Sequence, residues 1–146
     1  MKISTKGRYG LRAMMELANH YGQGPMPVET IARNQDISGK YIHIIVMDLR
    51  SAGLVRSVRG PNGGYELAKT PTAITVLDVI SALEGKCIPV ECVADTAFCS
   101  RAGHCAARDV WCDVASAVDE ILSALTLEQL AAKQRSKDEQ PPSYHI

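Results

Sequence analysis

A chain of 146 residues, 46% hydrophobic and 22% charged with a formal net charge of zero, is long enough for one domain with a real core. Aromatic residues make up only 5%, no apolar run approaches the roughly eighteen residues of a membrane span, and the start Met1-Lys2-Ile3-Ser4-Thr5-Lys6-Gly7 has no signal-peptide apolar region. A soluble cytoplasmic protein with no membrane partner is therefore expected. Zero net charge taken whole argues against a nucleic-acid partner, but it sums two unlike halves: residues 1–65 hold nine Lys/Arg and four Asp/Glu, residues 66–146 seven and twelve.

From Thr5 to about Tyr21, Leu11, Met14, Met15, Ala18 and Tyr21 recur at three- and four-residue intervals opposite Lys6, Arg8, Arg12 and Glu16, which predicts an amphipathic helix. The run Gly22-Gln23-Gly24-Pro25 ends it. A short helix is expected over residues 28–34, then a turn at Gln35-Asp36-Ile37, then a third helix with Ser38 as N-cap running to about Ser51 and closed by Gly53. Leu54-Val55-Arg56-Ser57-Val58 and Tyr65-Glu66-Leu67 have strand character and flank the dense turn signal Gly60-Pro61-Asn62-Gly63-Gly64. Two short helices joined by a tight turn and followed by a hairpin form a winged helix-turn-helix.

Thr75-Val76-Leu77-Asp78 reads as a capping-box start of a helix through about Glu84, stopped by Gly85. Residues 86–105 form a cysteine-containing loop. From about Ala106 to Leu125, the residues Val110, Val114, Ala117, Val118, Ile121, Leu122 and Leu125 draw an apolar stripe along a helix of about 30 Å, by the rise per residue. Thr126-Leu127-Glu128-Gln129 opens a short terminal helix to about residue 133, and the composition of residues 134–146, with Pro141-Pro142, predicts a disordered tail. The expected organisation is a winged-helix domain over 1–85, a cysteine-rich loop over 86–105 and a dimerisation helix with a terminal helix over 106–133. The fold class is mainly α with a small β-hairpin wing.

The basic excess coincides with the elements a winged helix presents to a duplex. Lys6, Arg8, Arg50 and Arg56 lie on or beside those elements, as do Lys2 and Arg12, and can neutralise phosphates. Ser38, Lys40, Tyr41 and His43 occupy the first turns of the second helix of the pair, where side chains reach the major groove. Arg59 and Gly60 stand at the wing tip, suited to a minor groove. Tyr41 has a second reading, half-buried against the first helix. Double-stranded operator DNA is the expected partner.

All five cysteines fall between Cys87 and Cys112. In a cytosolic chain such a cluster points first to a metal or redox site and then to disulfides. The pattern Cys92-x6-Cys99-x5-Cys105 lacks the C-x2-C of a zinc ribbon, and three thiolates from one loop suit soft metals, iron-sulfur clusters in particular. A bare thiol loop used as a redox switch is the competing reading. Cys87 and Cys112 read as small packing residues, and Phe98 and Trp111 as side chains that pack the loop onto the following helix. A thiol enzyme needs a base and an orienting acid beside the nucleophile, and His104 next to Cys105 is the only local pair, so no enzyme is expected.

Three stretches carry a resemblance: Met1 to Met14; Ala52 to Gly60 with Gly63-Gly64-Tyr65; and Ile74 to Ile80 with Leu83-Glu84-Gly85. They resemble the Rrf-type bacterial winged-helix transcription regulators, the family that includes the IscR-, NsrR- and RirA-like iron-sulfur sensors and CymR. The resemblance covers about Met1 to Leu130. It implies a homodimeric transcription factor, with the helix after the cysteines crossing its twin, and the apolar stripe agrees with this independently. It also implies that Cys92, Cys99 and Cys105 hold a 2Fe-2S or 4Fe-4S cluster whose gain, loss or modification changes DNA affinity. In IscR-like members a His stands three residues after the last Cys; here that position is Arg108, whose guanidinium has no lone pair for iron. The fourth ligand is left open among His104, Asp109, Cys112 and the other subunit's N-terminal helix. The resemblance also implies an alternative, a cluster-free regulator that responds to a protein partner or to thiol oxidation, as CymR-like members do. His43 and Ile44 depart from the Glu-Gln of many members, so the operator sequence does not carry over.

Overall fold

The computed structural model describes residues 2–140. Seven helices and one hairpin follow in order: α1 (Thr5–Asn19), α2 (Val28–Gln35), α3 (Gly39–Ser51), β1 (Val55–Val58), β2 (Gly64–Leu67), α4 (Val76–Glu84), α5 (Glu91–Ala94), α6 (Ala106–Ala124) and α7 (Leu127–Asp138). The mainly helical chain with a two-stranded antiparallel wing is the fold class that the patterning predicts.

Local chemistry sets most of the boundaries. Ser4 caps α1 by accepting the Gly7 N–H at 3.2 Å, and Ser38 caps α3 by accepting the Tyr41 N–H at 3.2 Å. Thr75 and Asp78 close a reciprocal capping box at α4, and Thr126 and Gln129 close another at α7. Between α2 and α3 the chain reverses at Asp36, whose φ of 52° lets its N–H bond back to the end of α2. The hairpin pairs Val55 with Leu67, Arg56 with Glu66, Ser57 with Tyr65 and Val58 with Gly64.

The core lies among α1, α2, α3, α4 and α7. Met14, Ile31, Ile42, Ile45, Val46, Leu49, Ile74, Val79 and Leu127 are fully buried there. Helices α1 and α4 approach closely because α1 presents Gly7 and Gly10. A Cβ on Gly10 would lie 2.0 Å from Leu83 Cδ1, and one on Gly7 would lie 2.5 Å from Glu84 Oε1. Helix α7 returns to this core, burying Leu127 and Ala131. Its start is stapled to the start of α4: the Val76 N–H donates to the Leu125 carbonyl at 2.8 Å and the Leu127 N–H to the Ile74 carbonyl at 2.9 Å.

Two expectations change. The cysteine segment is not an unstructured loop: it contains α5 and 3-10 turns at Thr96–Phe98 and Ala102–His104. Helix α7 runs through Asp138, five residues into the stretch expected to be disordered, because no Pro or Gly interrupts residues 134–138 and Arg135 donates to Asn19 Oδ1 of α1 at 2.6 Å. Residues 141–146, the remainder of that tail, lie outside the described residues. No helix among the described residues is long and apolar enough to cross a membrane.

Candidate nucleic-acid interface and cysteine segment

Helix α3 buries Ile42, Ile45, Val46 and Leu49 and turns Lys40, His43, Ile44, Met47 and Arg50 to solvent. The wing stands beside it. Gly64 has φ 157° and sits against the α1–α2 connection, where an added Cβ would lie 2.4 Å from the Met26 carbonyl group. Met26 and Tyr65 exchange both backbone hydrogen bonds at 2.8 Å, so β2 is flanked on its outer side by that connection. Tyr65 also donates to Met47 Sδ at 4.0 Å, tying the wing to α3.

The sequence-predicted contacts divide by their partners. Lys40, Arg50 and Arg59 are exposed and belong to none of the ion pairs among the described residues, and His43 is exposed on the same helix. Gly60, with φ 121°, is exposed beside Arg59 at the wing tip. Arg8 is exposed but donates to Thr5 Oγ1 at 3.1 Å. Lys6 forms an ion pair with Asp48 of α3, and Arg56 one with Glu66 across the hairpin at 2.9 Å. Those two charges are already compensated within the chain, and surface pairs of this kind are weak enough to exchange for phosphate.

Three of the side chains read as contacts also bond or pack within the chain. Ser38 is the cap of α3. Tyr41 is half-buried, edge-on to Tyr9 of α1 with ring centroids 6.0 Å apart, in keeping with its second reading. Arg12, counted with the basic excess, turns inward: its guanidinium lies 5.5 Å from the Tyr9 ring centre and donates to Gln35 Oε1 at 3.0 Å. Ile44 and Met47, 46% and 40% exposed, were not among the predicted contacts. Their signal was available, since both fall off the buried stripe of α3.

The cysteine segment leaves the core at Gly85 and leads into α6. Cys87, Cys92, Cys99, Cys105 and Cys112 are all free and half-buried. Burial raises the Cys87 thiol above its ordinary range, helped by the negative charges of Asp119 and Glu84. This thiol lines a cavity of about 190 Å³ with Lys86, Ile88, Val93 and Asp119. Among the described residues, no three His, Cys, Asp or Glu side chains are grouped to hold a metal ion. Arg108, at the position where the IscR-like pattern has its His, donates from Nε to the Cys92 carbonyl at 2.8 Å. Phe98 and Trp111 are 66% and 42% exposed and do not pin the segment down as expected.

Helix α6 has no buried residue; Val110, Val114 and Ile121 are 56%, 36% and 69% exposed. Beside it, Ile3, Gly7, Leu11, Val76, Ile80, Val118 and Leu122 line an apolar groove of about 480 Å³ between α1, α4 and α6. A helix whose apolar stripe finds too little cover in its own chain is the geometry of an interface.

Residues 3–133 match the Rrf2 family, described as an iron-dependent transcriptional regulator. This chain belongs to the Rrf2 family. It is 46% identical over 132 residues to the HTH-type transcriptional regulator CymR of Bacillus subtilis strain 168, covering 90% of this chain and 91% of that protein. The solved structure of CymR, described as the global cysteine regulator of B. subtilis, aligns with a TM-score of 0.77 at 45% identity over 91% of this chain and 98% of that one. The T. potens IscR structure aligns equally well, with a TM-score of 0.77 at 36% identity over 99% of this chain and 95% of that one. Rrf2 members are DNA-binding transcriptional regulators, not enzymes, and the winged-helix fold is theirs.

Proposed function

We propose that this protein is a homodimeric transcriptional regulator that binds operator DNA through α3 and the wing, and that its response is of the CymR type, free of an iron-sulfur cluster. The carrying observation is the state of the cysteine segment. Its thiols are not grouped around a common point, and Arg108 is committed to the Cys92 carbonyl at the position where a cluster-binding pattern needs a ligand. The 46% identity to CymR supports the same reading.

Two copies pair through the stripe of α6, which would cover Val110, Val114 and Ile121. The signal is a protein partner or oxidation of thiols in the segment between Gly85 and Cys105. In the second case two thiols lose two protons and two electrons to a peroxide, which leaves as two waters, and a disulfide forms. Either event resets the pose of α6 against α4 and so the spacing of the two wings.

A second reading has its own support: Cys92, Cys99 and Cys105 are free, half-buried and confined to one segment, and the family is described as iron-dependent. Such a segment can close around an iron-sulfur cluster as the cluster assembles. Anaerobic purification with visible absorbance and an iron count separates the two. Colourless, iron-free protein that shifts promoter DNA with steep salt dependence is expected. Brown protein whose iron is lost on triple substitution of Cys92, Cys99 and Cys105 by Ala would install the cluster reading instead.

A further inference from the structure

Helix α3 offers solvent two large apolar side chains on the face that a winged helix turns toward DNA. At about 100° per residue, Lys40, Ile44 and Met47 fall within about 60° of one another, opposite the buried set Ile42, Ile45, Val46 and Leu49. His43 borders them and is also exposed. Tyr65 of the wing reaches Met47 Sδ, which fixes that side chain between helix and hairpin. The surroundings are cationic, with Lys40, Arg50 and Arg59 exposed and outside the ion pairs of the described residues. An apolar spot ringed by uncompensated cations is complementary to a polyanion that carries an apolar feature of its own.

The major groove of B-DNA has one such feature, the C5-methyl group of thymine. Isoleucine has no donor or acceptor with which to read a purine edge, and its branched end matches a methyl in size and polarity. We propose that Ile44, with Met47 beside it, reads thymine methyl groups in the major groove of the operator, while Lys40 and Arg50 hold the flanking phosphates. The inference rests on the DNA-binding reading above and adds the base feature recognised. It makes Ile44 a specificity-determining residue, and it requires thymine at one fixed position in each half-site.

The test removes the methyl from the DNA before touching the protein. Duplexes enriched from a random-sequence library by the full-length protein supply the probe, and each thymine is then replaced singly by deoxyuridine. One thymine position per half-site is expected to weaken binding about fourfold when demethylated, the worth of one methyl contact. Ile44→Ala changes both half-sites of the homodimer, so it should lose about sixteenfold on the thymine duplex, as deoxyuridine at both positions does, with little further loss when the two changes are combined. Ile44 is exposed, so the variant should unfold in urea as the parent does. Deoxyuridine without effect at every position overturns the inference, as does a methyl penalty that persists in Ile44→Ala. Failure to enrich any duplex, or salt-independent binding, overturns the DNA-binding reading itself and the inference with it.

Discussion

The carboxylate of Glu84, the last residue of α4, accepts the backbone N–H of Gly7 in the first turn of α1 at 2.9 Å. The Ser4 hydroxyl donates to the same oxygen. The first helix of the DNA-binding half is thus capped by the residue that precedes Gly85, where the cysteine segment departs. A negative group also complements the positive end of the α1 dipole. Glu84→Ala should cost about 1 kcal/mol in urea denaturation, and Glu84→Gln, which keeps an acceptor, should cost less.

Gly64 is the tightest point of the wing. Alanine there would press on the Met26 carbonyl group and must adopt φ 157°. Gly64→Ala should destabilise the chain by about 2 kcal/mol and weaken DNA binding beyond that loss, because the hairpin must shift relative to α3. Equilibrium unfolding and a mobility shift on the same preparation check both effects.

Ser38 orders the first turn of α3 through one hydrogen bond to the Tyr41 N–H. Ser38→Ala should cost about 1 kcal/mol, and Ser38→Asp should retain most of the stability while repelling phosphate. A stable Ser38→Asp protein that binds operator DNA as tightly as the parent would place this turn away from the duplex.

Lys40 and Arg59 differ from Lys6 and Arg56 in having no ion-pair partner among the described residues. Replacing either with Ala removes one phosphate contact per subunit, so it should weaken binding to all sequences alike and flatten the log–log salt dependence of the homodimer by about two units. Affinity at four or more salt concentrations measures the slope.

Burial, with Asp119 and then Glu84, raises the Cys87 thiol, so the folded chain keeps this proton at pH values where the unfolded chain has lost it. The stability linked to the shift is complete below the ordinary thiol range and is lost as pH rises through the raised value. Urea stability should fall from about pH 8.5 upward. Cys87→Ala should flatten that decline, and Asp119→Asn should speed alkylation of Cys87 at pH 8.

Wherever a signal depends on neighbouring residues, it was legible in the chain. The caps at Ser38, Thr75 and Thr126, the strand pattern around Gly60 to Gly64 and the stripe of α6 are all local, and each sits where the residues predict. The basic surplus of residues 1–65 likewise marks the half that carries α3 and the wing. The cysteine segment was less legible, because the spacing of thiols in sequence says nothing of whether the backbone gathers them. Turns at Thr96–Phe98 and Ala102–His104, and the hydrogen bond from Arg108 to the Cys92 carbonyl, set the path of that segment.

By itself the sequence determined helices α1 to α4 and α6, the start of α7, the hairpin and the winged-helix class, since hydrophobic period, capping chemistry and turn residues act over a few positions. Tertiary structure alone decided which charges are free and which are spent. Lys6 and Asp48 lie 42 positions apart, and Arg12 and Gln35 lie 23 apart. It alone brought α7 back onto α1 and placed Glu84 over the start of α1, across 77 residues from Gly7. Long-range contacts of this kind depend on how whole faces pack, and no local pattern records which partner a face will find.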